Sequence, residues 1–339
     1  MIKKLSILDM SFVDDGKSAK ESVLNTVELA KEADQLGYDR FWVTEHHNLP
    51  NVAGASPAIL IGQIAAVTKN IRVGSGGVML PNHSPLIVAE NFKLLETFYP
   101  NRIDLGLGRA PGTSGVTALA IRRATNTLNS DDFRNLLHEL QDYGDENSHH
   151  SLNQFSNITA MPKDAQLPTI WSLGSSEFSA KLAAEEGLKY SFAYHFNHKN
   201  AKQIIQLYRD EFEAIHGKQA PGILLGVSVI TGETTEEVML QKKLLSVKYL
   251  KTIGAISQAY LPDLNSVREV ELPENLVRMA NEYMESQIIG TWNEVKEQLD
   301  RIAEDLQVEE VIITSTQLGF NSRVKFYQKL SKNYKLNEK

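Results

Sequence analysis

Four groups of residues have types and spacing that could support chemistry. The first is Glu45-His46-His47, in which a histidine could act as a general base or a proton donor near neutral pH. Because adjacent side chains at the end of a strand point in different directions, one histidine can face a pocket while the other packs. A hydrogen-bonded structural pair is the plainer interpretation, and a metal site is a third.

Glycine-rich strand ends mark the second and third groups. Three glycines in the four residues Gly74-Ser75-Gly76-Gly77 indicate either close approach of the backbone to a ligand or a β-bulge. Arg109 follows Gly106-Leu107-Gly108 directly. An arginine at this position could hold an anion by charge-assisted hydrogen bonds, although a salt bridge to an acidic neighbour fits the sequence equally well.

The fourth group is the turn Gly174-Ser175-Ser176-Glu177-Phe178-Ser179, which joins a predicted strand to a predicted helix. Free backbone N–H groups and the positive end of the helix make such a turn an anion site, and the serine hydroxyls add donors. Pure N-capping by serine is the alternative. The usual phosphate site of an α/β barrel follows strands seven and eight, whereas this turn follows the fifth predicted strand.

The elements that must position these groups alternate between strands and helices, which favours a (β/α)₈ TIM barrel. A doubly wound open sheet is the alternative fold. We expect a single domain over residues 1–339, with insertions at about 111–166 after strand four and at about 251–289 before strand eight. The eight predicted strands are Leu5–Ser11, Arg40–Thr44, Ile71–Met79, Arg102–Leu107, Pro168–Leu173, Tyr190–Tyr194, Ile223–Ile230 and Val311–Ser315.

Composition limits the classes of function. Lysine and arginine total 35 against 42 aspartates and glutamates, a net charge of −7, which argues against general nucleic-acid binding. The chain has no cysteine, so disulfides, thiolate metal sites and cysteine nucleophiles are excluded. No apolar run reaches the roughly 20 residues of a membrane helix, and the apolar stretch at the start ends too early, at Asp9, for a signal peptide. We therefore expect a cytoplasmic protein that acts on a small molecule.

Taken together, the motifs resemble those of the bacterial luciferase-like flavin-dependent oxidoreductases, and the resemblance covers nearly the whole chain. Each motif alone is weak, but their order and spacing are a strong signal. The stretches that carry it are 41–47 (FWVTEHH), 73–81 (VGSGGVMLP), 101–109 (NRIDLGLGR), 172–176 (SLGSS) and 288–291 (IIGT).

The resemblance implies a barrel that binds FMN at the carboxyl ends of its strands. Matched residue by residue, Gly174 lies in the phosphate turn, and the residues that would hold the phosphate are Arg109, Ser175, Ser176 and Ser179. Gly76-Gly77 matches a non-proline cis peptide under the flavin ring. His46 matches the active-site histidine, and Glu45 beside it would orient His46 or the flavin edge. Residues 251–289 match a mobile lid.

The implied activity is that of a two-component monooxygenase, which uses O₂ and reduced FMN supplied by a separate flavin reductase. The chain has no Gly-x-Gly-x-x-Gly nucleotide fingerprint of its own. The family often forms homodimers, and no metal is expected. Two departures, Gly108 in place of a reactive cysteine and Ser175 in place of a glutamate, remove support for light emission.

Three alternatives remain open at this point. A deazaflavin-dependent hydride-transfer enzyme shares the fold. A non-catalytic relative would bind FMN without turnover. A metal-dependent barrel hydrolase would instead use Glu45 and His46 as ligands.

Overall fold

The computed structural model of the chain describes residues 2–14, 16–123, 132–144, 155, 157–256, 266–315, 317 and 319–338. Much of the first predicted insertion (124–131 and 145–154) and part of the predicted lid (257–265) lie outside the described residues. Ten strands are described: β1 Lys4–Asp9, β2 Arg40–Val43, β3 Arg72–Ser75, β4 Val78–Met79, β5 Ile103–Gly108, β6 Thr169–Gly174, β7 Lys189–Ala193, β8 Leu224–Gly232, β9 Ile288–Thr291 and β10 Glu310–Ser315.

Helices follow most of the strands along the chain. They are α1 Ala19–Gln35, α2 Pro57–Val67, α3 Pro85–Phe98, α4 Gly115–Arg122, α5 Asp132–Asp142, α6 Glu177–Glu185, α7 Ala201–His216, α8 Thr235–Thr252, α9 Glu274–Met284, α10 Trp292–Asp305 and α11 Phe320–Tyr334. None of the described helices is long and apolar enough to cross a membrane.

The strands close into an eight-stranded parallel barrel, as predicted. The order is β1-β2-β3-β5-β6-β7-β8-β10, and β10 pairs with both β8 and β1. Val311 of β10 lies opposite Leu5 of β1 on one side and Leu225 of β8 on the other. This closure removes the free sheet edges that an open, doubly wound sheet would have, so that alternative is wrong.

Local hydrogen bonds determine where helices begin, and the spacing of the residues that form these bonds is visible in the sequence. Ser18 accepts from the Glu21 amide at 3.2 Å, while its own amide donates to the Glu21 carboxylate at 2.9 Å, which makes a capping box at the start of α1. Thr291 and Glu294 repeat the pattern at α10. These bonds satisfy backbone donors that the first helical turn leaves without a partner.

Two predicted segments differ from the structure. The third predicted strand, Ile71–Met79, is divided into β3 and β4, because the chain breaks its extended course at Gly76-Gly77. Residues 251–289, expected to be irregular, contain α9 and the start of β9, which pairs with the far end of β8. The apolar spacing within α9 was present in the sequence, but two nearby prolines obscured it.

Charged residues fill the amino end of the barrel. Asp104 is fully buried and receives Arg40 Nη1 at 2.6 Å, Arg72 Nη2 at 2.7 Å and the Trp42 indole N–H at 3.1 Å. Burial alone would raise the pKa of Asp104, but the two arginines more than offset that effect and hold the pKa below its ordinary value. Above this cluster, Trp42, Trp171, Leu224 and Ile312 pack together as an apolar layer.

Candidate active site

A cavity of about 330 Å³ opens at the carboxyl ends of the strands, a volume within the usual range for small-ligand sites. Leu8, Trp42, Leu173 and Ile312 contribute apolar surface to its wall. The structure brings seven of the nine predicted site residues into this one cavity: Gly76, Gly77, Arg109, Gly174, Ser175, Ser176 and Ser179 all line it.

The Gly76-Gly77 peptide bond is cis, as the resemblance implied. The close packing of neighbouring backbone explains why glycine is required here. A Cβ placed on Gly77 would lie 2.8 Å from the carbonyl oxygen of Gly106, and one on Gly76 would lie 2.6 Å from Leu8 Cδ1. The result is a cavity wall made of bare backbone.

Arg109 leaves β5 at the rim of the cavity, with its guanidinium 4.5 Å from the centre of the Phe178 ring, a cation–π contact. Within the ranges given above, no carboxylate forms an ion pair with Arg109. The alternative of a salt bridge to an acidic neighbour is therefore not what the described residues show. The side chain is exposed and available to an anion.

The turn after β6 leads directly into α6. Ser176 is the N-cap of this helix: its hydroxyl lies 3.4 Å from the Ser179 amide, and the Ser179 hydroxyl accepts from the Ser176 amide at 3.2 Å. Ser179 also contacts the Tyr190 hydroxyl at 3.0 Å. The N-capping interpretation is thus correct for Ser176 and Ser179, and the start of α6, the positive end of the helix, also lies at the cavity.

Glu45 and His46 do not line the cavity and do not pair with each other. Thr44 contacts the His46 ring, with Oγ1 3.0 Å from Nδ1. Both residues follow the end of β2 at Val43. Burial lowers the pKa of His46, an effect that Glu45 opposes and His47 reinforces.

The fully buried Glu45 carboxylate instead joins two segments, the one after β2 and the one from β4 to α3. It lies 2.8 Å from His47 Nε2 and 2.9 Å from His83 Nε2, and it accepts from the Met79 amide at 2.9 Å and from the Asn82 side chain at 3.2 Å. Burial would raise the pKa of Glu45, but the bonds from His83, His47 and Met79 lower it below its ordinary value. The sequence suggested that Glu45 orients His46 or the flavin edge; its carboxylate forms no hydrogen bond with His46 and is bound instead to His47 and His83.

Met79 connects this cluster to the cavity. Its amide binds Glu45 while its side chain lines the cavity. The side chain fills the space beside Gly108: a Cβ on Gly108 would lie 2.9 Å from Met79 Sδ. The methionine therefore occupies the region where a side chain at position 108 would project.

Sequence reasoning missed several residues of the cavity, including Phe178, His195 and Phe196. His195 follows β7 by two residues, and its Nδ1 lies 3.0 Å from the Gly226 carbonyl oxygen. Its position after a strand end was the available signal, since barrel sites are built there. Nothing in the residue types around it marked it further.

The residues present fit a flavin mononucleotide. Arg109 and the start of α6 supply positive charge and N–H donors for a phosphate, and the apolar wall suits a planar aromatic ring. A metal hydrolase fits less well, because Glu45 and His46 point to different neighbours. The described residues contain no group of three or more histidine, cysteine, aspartate or glutamate side chains arranged so that it could hold a metal ion.

Comparisons with known proteins find similar chains over nearly the whole length of this one. The sequence profile of the family described as luciferase-like monooxygenase matches residues 4–310. The chain is 39% identical over 324 residues to the uncharacterised protein YvbT of Bacillus subtilis, covering 96% of this chain and 94% of that protein. It is 32% identical to the N-acetyl-S-alkylcysteine monooxygenase of Bacillus subtilis, covering 91% and 92%.

Among solved structures, apo-MsnO8 superposes with a TM-score of 0.87 at 33% identity, over 98% of both chains. Two more distant structures share the fold. One is the oxygenating constituent of 3,6-diketocamphane monooxygenase of Pseudomonas putida in complex with FMN, at 17% identity and a TM-score of 0.70 over 98% of both chains. The other is an F420-dependent secondary alcohol dehydrogenase, at 14% identity and a TM-score of 0.69 over 97% of this chain and 98% of that one.

Proposed function

Because the chain belongs to the luciferase-like monooxygenase family, we propose that it is an FMN-dependent, two-component monooxygenase. It receives reduced FMN from a separate flavin reductase and uses O₂ to oxidise a small organic substrate. Similarity to a monooxygenase named for N-acetyl-S-alkylcysteine supports a substrate of that size class.

One observation carries this proposal. A single cavity joins an anion-binding end, made by Arg109 and the start of α6, to an apolar end beside Trp42 and Ile312. FMN has the same division, with a phosphate at one end and a planar ring at the other. The bare backbone of Gly76-Gly77 lets a ring approach the wall closely.

The protein would hold the cofactor and control water and protons around it. Bound reduced FMN would supply the electrons that activate O₂, which is chemistry that side chains cannot provide. Arg109, Ser175 and the Ser176 turn would bind the phosphate. The apolar wall excludes water from the reacting region.

We propose that His46 handles protons at this end of the barrel. Burial lowers its pKa, so the ring is neutral near pH 7 and can accept a proton. Thr44 holds its Nδ1 at 3.0 Å. Exchange to alanine should preserve FMN affinity and lower the rate of O₂-dependent substrate oxidation; an unchanged rate would assign His46 to packing alone.

Glu45 acts through other residues. Because it holds the Met79 amide and both His47 and His83, its proposed part is to position the loop that carries the Met79 side chain into the cavity. This proposed role of Glu45 differs from the one that the sequence suggested, in which Glu45 orients His46 or the flavin edge.

We further propose a homodimer that works in the cytoplasm beside its reductase. Ile59 of α2 and Ile87 and Phe98 of α3 expose apolar side chains on neighbouring helices, which supports burial against a second copy. Sedimentation equilibrium at twice the mass of one chain is the expected result, and a single-chain mass would reject the dimer.

The proposal is tested by binding of FMN and riboflavin to Arg109→Ala. Loss of the cation should weaken FMN binding by about 10- to 100-fold, the range of a charge-assisted hydrogen bond, and leave riboflavin, which lacks the phosphate, nearly unchanged. Arg109→Lys, which keeps a cation, should bind FMN with intermediate affinity. Fluorescence titration of each flavin gives the dissociation constants.

Three results would count against it. Equal loss of both flavins would remove Arg109 from the phosphate site. Tighter binding of the deazaflavin F420 than of FMN would favour hydride transfer. Reduction of bound FMN by NAD(P)H without an added reductase would contradict the two-component arrangement.

A further inference from the structure

His195 forms part of the cavity wall, one strand further around the barrel than the serine turn. Along the barrel, Arg109 follows β5, the serine turn follows β6, and His195 follows β7. Its ring is stabilised by two neighbours: Gly226 of β8 through a hydrogen bond, and Phe196, whose ring centre is 4.4 Å away.

The contact with Gly226 decides which nitrogen of His195 carries the proton. A backbone carbonyl oxygen can only accept a hydrogen bond, so Nδ1, at 3.0 Å, must carry a hydrogen. Burial lowers the pKa of His195, although the bond to Gly226 opposes this effect, and the ring is neutral near pH 7. In the neutral ring, Nε2 has a lone pair and no proton.

This lone pair differs chemically from the groups that follow β5 and β6. There, Arg109 and the start of α6 present donors and positive charge. Among the described residues that line the cavity there is no aspartate or glutamate. His195 is therefore a neutral side chain that offers a fixed acceptor, and within the described chain no protein donor contacts its Nε2.

A flavin ring needs such an acceptor. Its pyrimidine edge carries one imide N–H, and burying that donor without a partner would cost binding free energy. We infer that His195 Nε2 accepts the hydrogen bond from the imide N–H of the bound flavin ring. This inference rests on the proposed function and adds a residue to it. Deazaflavins carry the same imide, so it does not depend on which flavin is bound.

Two further contacts support a planar ligand on this side. The Phe196 side chain lines the cavity yet remains 76% exposed, and a ring beside His195 would cover part of it. Asn197 donates to the Ser175 carbonyl at 2.8 Å. This bond joins the loop that carries His195 to the serine turn after β6 and fixes the position of one relative to the other.

Two substitutions of His195 test the contributions of Nδ1 and Nε2 separately. His195→Asn can keep the donor to Gly226 but has no atom at the position of Nε2. His195→Gln can place its amide oxygen there. The probes are oxidised FMN and FMN methylated at the imide nitrogen, which cannot donate. Equilibrium binding by fluorescence titration requires no turnover.

We expect methylation to weaken binding to the wild-type protein about tenfold, as loss of one buried hydrogen bond would. His195→Asn should bind FMN about tenfold more weakly than wild type and should no longer distinguish the two probes. His195→Gln should bind within about threefold of wild type and still distinguish them. Arg109→Ala should weaken both probes equally, because the phosphate contact is independent of the imide.

The inference is overturned if His195→Asn binds FMN like wild type, or if methylation weakens binding to wild type and His195→Asn by the same factor. Either result, together with the Arg109 effect on FMN, would leave the proposed function standing. Failure of the wild-type protein to bind FMN would overturn the proposed function, and failure to bind either FMN or a deazaflavin would overturn both.

Discussion

The two ends of the barrel use similar residues in opposite ways. At the amino end, Arg40 and Arg72 converge on Asp104, and Trp42 donates to the same carboxylate. At the carboxyl end, Arg109 lies over Phe178 without a carboxylate partner in the described chain. The charges of the amino end are paired with one another, whereas the carboxyl end has a cation that a ligand could bind.

Burial explains the difference between the two ends. A charge enclosed by protein must be paired, because removing an isolated ion from water costs several kcal/mol. Asp104 is fully buried and meets that requirement within the chain. Arg109 is exposed, so water can solvate it until a ligand arrives. A charge without a partner beside a cavity therefore indicates a binding site, whereas a network of paired charges indicates a contribution to the stability of the fold.

A third cluster lies between these extremes. The Glu45 carboxylate is as buried as Asp104, and its partners are two histidines, an asparagine and a backbone amide. As at the amino end, the carboxylate has its partners within the chain, but this cluster lies among the loops that border the cavity. Its contribution is therefore to the stability of the site.

The largest effect is expected at the amino end. Asp104→Asn removes the buried charge that pairs with both Arg40 and Arg72. Arg40 keeps its ion pairs with Glu310 and Asp39, but Arg72 loses its carboxylate partner, and the free energy of unfolding should fall by about 3 kcal/mol or more. Urea denaturation measures this. Glu28→Gln, which removes the exposed pair with Lys31, is the matched control and should change it by less than about 0.5 kcal/mol. If the two substitutions lower the free energy of unfolding equally, the buried charge contributes no more to stability than the exposed pair does.

A smaller, pH-dependent effect is expected at Glu45. Glu45→Gln removes the charge to which two histidines donate and should cost about 1–3 kcal/mol at pH 7. The folded-state pKa of Glu45 lies below its ordinary value of 4.5, so its charge stabilises the fold above that pH. The contribution is lost as the pH falls through the folded-state pKa.

The measurement is the free energy of unfolding of wild type and Glu45→Gln between pH 7 and pH 3. The difference between them should shrink as the pH falls. A difference that stays constant would show that the charge of Glu45 does not stabilise the cluster.

The smallest effect is expected at the phosphate turn. Ser176→Ala removes the N-cap of α6 and should cost about 1 kcal/mol of stability. Ser84 precedes α3 but makes no capping bond through its side chain, so Ser84→Ala is a matched control with almost no expected loss. Thermal denaturation compares the two. Similar losses would show that the Ser176 bond contributes nothing specific.

Local patterns were sufficient to predict much of the fold. The capping boxes at Ser18 and Thr291 mark helix starts because a side chain and a backbone amide three residues apart decide them. The strand ends were located by alternation and glycine, and the cis Gly76-Gly77 bond by the resemblance to a family. By contrast, α9 was missed because two nearby prolines obscured its apolar spacing, although the structure packs this helix against α8.

The chain by itself determined the alternation of strands and helices, the glycine-rich strand ends and the serine turn before α6, since these depend on near neighbours along the backbone. Only the tertiary structure decided that Glu45 binds His47 rather than His46, that Asp104 pairs with Arg40 and Arg72, and that His195 shares a cavity with Arg109. Barrel closure decides these contacts, because it brings together strand ends separated by tens of residues or more and fixes which face of each strand looks inward.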